Sequence, residues 1–253
     1  VYTSPEDGVC VPELASVIKQ HSVKACLFST AINNPLGSMM TDAQRKNMVE
    51  LLEANNIPLI EDEVYSDLYF TERRPTSAQL YSEKGLVLTC SSFSKTAAPG
   101  YRVGWLLPGL FEEKAKRIKR AQSCSTPMLQ QWTLTDYLMS GEYDRHLQVL
   151  RKTLRYNCER MRALIAQHFP EQVCISKPQG GSVIWVRCRS HVDTSQFFSQ
   201  AITQGVSFAP GEIFSPSGKY KNYMRISFGV QWCERIDEAI QTLGKLVHQY
   251  PDA

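Results

Sequence analysis

The sequence predicts an α/β fold: a large domain built on a mostly parallel sheet, followed by a smaller α+β domain. Two patterns carry this reading. Through the first hundred residues, short apolar runs alternate with amphipathic helical stretches, as in a parallel sheet whose strands are joined by helices and covered on both faces. After Pro108 the alternation gives way to long helical periods and separated strands. The large domain is expected over residues 1–138. An interdomain helix and a small C-terminal domain are expected over 139–253.

Taken in order, Leu14, Val17 and Ile18 fall at helical spacing after Pro12, so a short helix is predicted over about 12–20. Ala25-Cys26-Leu27-Phe28 reads as the first buried strand. Thr41-Asp42-Ala43-Gln44 has the form of a capping box, and Met48, Val49, Leu51 and Leu52 line the helix it opens. Asn55-Asn56 ends that helix. The next strands are read at Ile57–Ile60, Leu86–Cys90 and Val103–Leu107. A basic helix follows over Glu112–Arg120. A long helix then runs from Tyr143 to about Gln167, with Leu147, Leu150, Leu154, Met161 and Leu164 as its apolar stripe. Beyond it the pattern gives a strand at Val183–Val186, a helix at about 194–204, a strand at Tyr223–Phe228 and a final helix carrying Ile236, Ile240, Leu243 and Val247.

Composition excludes several classes. With 43% apolar residues, 21% charged and a net charge of +3 over 253 residues, the chain is an ordinary globular sequence. That charge is too small to indicate a nucleic-acid or anionic membrane surface. No run approaches the roughly 20 apolar residues needed to span a bilayer. The eight cysteines lie scattered, without a C-x-x-C pair or histidines at metal-ligand spacing, and read as reduced thiols of a cytoplasmic protein; no metal site is expected.

The chemistry is expected outside the carboxyl ends of the strands, where ligands sit in open α/β sheets. The first strand leads into Asn33-Asn34-Pro35-Leu36-Gly37. The second ends in Glu61-Asp62-Glu63-Val64-Tyr65, and the third in Ser91-Ser92-Phe93-Ser94-Lys95, with Arg102 beyond. These residue types suit a pyridine aldehyde cofactor. Lys95 can form a Schiff base with the aldehyde, Asp62 can keep the ring nitrogen protonated, and Asn34 and Tyr65 can donate to the phenolate oxygen. Ser92 and Arg102 flank Lys95 and can hold the phosphate. Bland readings stand beside these: Asn34 as turn punctuation, Tyr65 as a half-buried aromatic, Ser92 bonding its own backbone. Strand alternation puts Asp62 on one face and Glu61 and Glu63 on the other.

The ordered set resembles the aminotransferase family of pyridoxal phosphate enzymes with the aspartate aminotransferase fold. Asn34-Pro35-Leu36-Gly37 matches the family's Asn-Pro-x-Gly, and Asp62-Glu63-Val64-Tyr65 its Asp-x-x-Tyr. Ser92, Lys95 and Arg102 match its Ser-x-x-Lys and following Arg. Arg225, in Tyr223-Met224-Arg225-Ile226-Ser227, matches the Arg that clasps the substrate α-carboxylate, with an exposed ion pair as the alternative for it. The segments Ile57–Phe70 with Arg74-Pro75, Ser91–Trp105, Tyr143–Leu147, Pro178–Gly181 and Ala209–Ser215 are similar to the MocR subgroup of GntR-type transcription regulators. That resemblance implies a homodimeric, cytoplasmic, aminotransferase-like domain that senses a small amine or amino acid and binds DNA only through a separate N-terminal winged helix-turn-helix. The alternative is a free-standing aminotransferase working by ping-pong transamination. The family's glycine-rich phosphate loop has no counterpart in these residues, so pyridoxal phosphate is expected in the parent protein and weakly or not at all in this chain.

Overall fold

The computed structural model describes residues 1–250. A small hairpin of β1 (Thr3–Ser4) and β2 (Gly8–Val9) opens the chain and is followed by α1 (Val11–Gln20). Then come β3 (Cys26–Phe28), α2 (Asp42–Ala54), β4 (Leu59–Asp62), β5 (Val87–Ser92) and β6 (Gly104–Leu107). These four strands form one sheet in the order β3-β4-β5-β6. The first two pairings are parallel, and β6 returns antiparallel to β5. The chain continues through α3 (Glu112–Ser123), α4 (Met128–Met139) and α5 (Glu142–His168). A second sheet, wholly antiparallel, has the order β7-β8-β10-β9: β7 (Cys174–Ile175), β8 (Val183–Arg187), β9 (Ala209–Pro210) and β10 (Tyr223–Ser227). Helices α6 (Thr194–Thr203) and α7 (Glu234–Gln249) accompany it.

The chain divides into two compact units. One holds residues 1–33 and 38–151, the other residues 34–37 and the described residues from 152 on. The division therefore runs inside α5, and it assigns Asn34–Gly37 to the second unit. The expected boundary at 138/139 had kept the whole helix with the C-terminal part.

Local sequence explains the element ends. Thr41 Oγ1 accepts from the backbone N–H of Gln44 (3.2 Å) and Gln44 Oε1 accepts from the N–H of Thr41 (2.8 Å), a complete capping box at the start of α2. Strand β4 begins two residues later than the apolar run predicts, because the N–H of Ile57 is held by the carbonyl of Leu52 at the end of α2 (2.9 Å). It then extends through Glu61 and Asp62, past the end of the apolar run. Helix α4 is not visible as a period in the sequence. Its apolar residues ring the axis instead of forming a stripe, and Met128, Leu129, Trp132 and Met139 are exposed.

One expectation is corrected. Cys26, Leu59 and Val87 pack with Leu14 of α1 and Met48, Val49 and Leu52 of α2 into one core. On the opposite face of the same sheet, Leu27 (67% exposed), Ile60 and Leu106 are uncovered among the described residues. Continuous apolar strands signal two covered faces, but α1 and α2 both lie on one. In the second unit, β8 buries Val183, Ile184, Trp185 and Val186 without a break, and Met161 and Ile165 of α5 are buried.

Candidate functional site

In the first unit the site is built on the ends of β4 and β5. Asp62 and Cys90 are paired across these strands, and they share the sheet face that carries Ile60 and Leu106. Asp62 Oδ1 accepts from the N–H of Val64 (3.0 Å), which fixes the turn after the strand and leaves the side chain partly exposed. Glu61 and Glu63 point the other way and are buried, as alternation requires.

Glu61, with no exposed surface, accepts from Ser77 Oγ (2.7 Å), Thr89 Oγ1 (3.1 Å), the N–H of Ala78 (3.0 Å) and Thr30 Oγ1. One carboxylate thus ties the segment after β3, strand β5 and the turn at 77–78 to the end of β4. Glu63 pairs with Arg74 (2.8 Å), which also holds Asp67 (2.7 Å). Burial, and then the nearby Glu61, push the Glu63 carboxyl above its ordinary pKa, against the pull of Arg74.

After β5 the chain folds around one carbonyl: Phe93 O accepts from the N–H groups of Ala97 (2.9 Å) and Ala98 (3.0 Å). Lys95 stands on this turn, exposed, with Nζ 5.8 Å from the centroid of the Tyr65 ring. Ser92 Oγ accepts from the N–H of Ser94 (3.4 Å), which is the bland role weighed for it. Arg102, in the left-handed region (φ 54°), donates from Nη1 to Ser94 Oγ (3.4 Å), so its bond within the loop goes to Ser94 and not to Ser92. Helix α5 anchors the turn from the side: Tyr143 OH donates to Thr96 Oγ1 (2.9 Å), and His146 Nε2 to the carbonyl of Thr96 (2.8 Å). The Phe93 ring meets Tyr143 edge-on, 5.9 Å between centroids. Sequence reading noted the Tyr143–Leu147 segment without seeing this use; the i, i+3 spacing of Tyr143 and His146 on one helix face was the available signal.

In the second unit Asn34 and Arg225 come together. Arg225 Nη1 donates to Asn34 Oδ1 at 3.0 Å. The guanidinium lies over the ring of Phe214, 5.1 Å from its centroid, and the buried Nε has no hydrogen-bond partner. Segment 34–37 is held by the N–H of Gln179, which donates to the carbonyl of Gly37 (3.0 Å). Gly37 has φ +71°, and a Cβ there would lie 2.7 Å from Pro178 Cβ, so both backbone conformation and space demand glycine. Phe214 was not singled out from the sequence.

Thus Asp62, Tyr65, Ser92, Lys95 and Arg102 lie in the first unit, and Asn34 and Arg225 are bonded within the second. The donor set of the first unit fits pyridoxal phosphate: a partly exposed carboxylate at a strand end, and a lysine amine beside a phenol ring. No cluster of three or more potential metal ligands exists among the described residues, and no helix among them is long and apolar enough to cross a membrane.

The chain is 34% identical over 249 residues to the uncharacterized HTH-type transcriptional regulator YdcR of Escherichia coli, covering 98% of this chain and 53% of that protein. It is 30% identical over 220 residues to the HTH-type transcriptional regulator NorG of Staphylococcus aureus, covering 86% and 49%. It spans about half the length of these curated relatives. Among solved structures, kynurenine aminotransferase of Pyrococcus horikoshii in complex with PMP is 27% identical, with a TM-score of 0.91 over 98% of this chain and 63% of that one. LysN, an α-aminoadipate aminotransferase of Thermus thermophilus bound to N-(5'-phosphopyridoxyl)-L-leucine, is 25% identical with a TM-score of 0.89, covering 96% and 63%. The fold is that of the pyridoxal phosphate-dependent aminotransferases, present in part. Residues 1–243 match the family model for aminotransferase class I and II, and the chain belongs to that family.

Proposed function

We propose that this chain is the effector-sensing, aminotransferase-like part of a MocR-type transcription regulator that uses pyridoxal phosphate. The observation that carries the cofactor reading is the joint placement of Lys95, Tyr65 and Asp62 on the strand ends of one unit. The regulator reading is supported by 34% identity, over 98% of the chain, to an HTH-type regulator. DNA contact would lie in an N-terminal domain of the longer protein, and the parent would be a cytoplasmic homodimer.

When bound, pyridoxal phosphate supplies an aldehyde for amine capture and a ring that draws electrons from the captured amine. Lys95 is the covalent attachment point and the group that moves a proton at its Nζ. Asp62 holds the proton on the ring nitrogen. Tyr65 would donate to the phenolate oxygen, a role the family resemblance also gives to Asn34. Ser92 and Arg102 hold the phosphate, Arg102 with its guanidinium while Ser94 occupies one of its N–H groups. Arg225 takes the carboxylate of an amino acid ligand, with Asn34 fixing one end of its guanidinium.

A second reading, a free-standing aminotransferase, is supported by the likeness to kynurenine aminotransferase. Both readings use the same groups at Lys95, so binding of DNA by the full-length protein separates them. For the cofactor, full-length protein treated with pyridoxal phosphate and borohydride should carry a phosphopyridoxyl mass increment on the peptide containing Lys95, abolished in Lys95→Ala. A label elsewhere, or none, would overturn the assignment.

A further inference from the structure

We infer that Phe214 is a positioning residue for the carboxylate arginine: its ring holds the Arg225 guanidinium so that one edge faces the ligand. This rests on the reading of Arg225 given above and adds a residue to it. Three contacts constrain the guanidinium. Asn34 Oδ1 takes Nη1 at 3.0 Å. Phe214 covers one face, with Cζ 5.1 Å from the ring centroid, where the negative face of the π system attracts the cation. Strand β10 fixes the stem, since Arg225 is paired with Trp185 on one side and with Ala209 on the other.

What remains is the edge that contains Nε. That nitrogen is buried and has no hydrogen-bond partner, which is costly for an N–H that water cannot reach. The Nε edge of a guanidinium matches the two oxygens of a carboxylate in a fork. A carboxylate there would satisfy the orphaned donor without disturbing the bond to Asn34.

Phe214 is itself braced. Trp185, only 3% exposed, meets it edge-on with centroids 5.3 Å apart, and Tyr223 stacks on Trp185 at 5.2 Å. The short 3-10 turn Gly211–Phe214 presents the ring. That turn needs glycine at its start: a Cβ on Gly211 would lie 2.2 Å from the carbonyl oxygen of Tyr220. The ring therefore has a fixed position from which to restrict a long, otherwise rotatable side chain, so less freedom is lost when the carboxylate arrives.

The test uses the full-length protein, with arginine labelled by nitrogen-15 and the Arg225 Nε–H resonance identified by its loss in Arg225→Lys. L-norleucine and L-norleucinamide, which differ only in the carboxylate, are titrated in the presence of pyridoxal phosphate. The Nε–H shift and calorimetry are read in parallel. The wild type should favour norleucine. Phe214→Leu should weaken norleucine by roughly tenfold and leave norleucinamide unchanged, and Phe214→Tyr should restore the preference. Replacing Phe214 by pentafluorophenylalanine keeps the shape and reverses the ring's charge distribution, so it should lose the preference in a chain that still folds. If both the leucine and the pentafluoro variants keep the full preference, Phe214 does not position the arginine. If the wild type itself shows none, the carboxylate role of Arg225 fails, and the inference about Phe214 falls with it.

Discussion

The hydroxyl of Tyr143 donates to Oγ1 of Thr96 across 2.9 Å, tying the first turn of α5 to the residue that follows Lys95. Tyr143 is 8% exposed and Thr96 3%, so neither group has water as a ready substitute. Burial pushes the Tyr143 phenol above its ordinary pKa, and the bond to Thr96 pulls the other way. Tyr143→Phe should cost about 1 kcal/mol. Thr96→Val, which strands the phenol hydroxyl without its acceptor, should cost about 1–3 kcal/mol. Urea unfolding measures both. Equal stability of Tyr143→Phe and wild type would mean that the bond does not hold the Lys95 turn.

Glu61 makes a stronger prediction. Its buried carboxylate gathers donors from Thr30, Ser77, Ala78 and Thr89, so Glu61→Leu leaves three hydroxyls and an N–H without their acceptor. The loss should reach about 3 kcal/mol or more. Glu61→Gln should fall between, because an amide oxygen can serve some donors while its NH2 group opposes the rest. If the leucine variant matched wild type in urea midpoint, the network would not anchor the end of β4.

Much of this architecture was legible from the chain because local signals and packing agree. The Thr41–Gln44 box starts a helix as its side chains dictate, and Asn-Pro-x-Gly ends in the one residue that φ +71° and the nearness of Pro178 allow. Asp62 was separable from Glu61 and Glu63 because a strand has period two. What was not legible depends on contacts distant in sequence. Phe214 beneath Arg225 leaves no periodic trace, and the i, i+3 spacing of Tyr143 and His146 marks a shared helix face without naming Thr96 as their partner. Helix α4 escaped because its apolar residues encircle it. That only one face of the sheet is covered among the described residues could not be read from strands whose residues are apolar on both sides.

Gly37→Ala combines two costs: a left-handed backbone at φ +71° and a Cβ placed 2.7 Å from Pro178 Cβ. Together they should lower stability by about 2 kcal/mol. They should also disturb the Gly37–Gln179 hydrogen bond, and hence the Asn34–Arg225 pair in the same unit. An unchanged Arg225 Nε–H resonance in this variant would argue that Asn34 is placed independently of Gly37.

The cysteines should sort by burial. Cys158 and Cys188 are buried, and desolvation raises their thiols to about 11 and about 12. At about pH 8 their thiolate fractions are then on the order of one in a thousand or less, besides being shielded from reagent. Cys124, Cys174 and Cys233 are exposed. Iodoacetamide followed by peptide mapping should label these three first and reach Cys158 and Cys188 only after unfolding. Early labelling of Cys188 would contradict the packing of its strand end.

Two buried glutamates should respond to pH with opposite sign. Burial raises the pKa of Glu53, but hydrogen bonds from Ser82 Oγ and from the N–H groups of Lys84 and Glu83 outweigh it and leave the carboxyl below its ordinary value. The unfolded chain then binds the proton more readily than the folded one. The stability Glu53 contributes is present above the ordinary glutamate pKa and is lost as pH falls through the depressed folded value. For Glu63 burial and Glu61 win over Arg74, so the folded state binds the proton more readily, and stability is lost as pH rises through the raised folded value. Urea unfolding at several values between about pH 3 and pH 8 reads both effects. Glu53→Gln should be less stable than wild type at neutral pH, with the gap closing as the solution is acidified. Glu63→Gln should compare worst with wild type at low pH and gain on it as pH rises. Parallel pH profiles for the two variants would show that the hydrogen bonds to Glu53 and the crowding of Glu63 against Glu61 do not set their protonation.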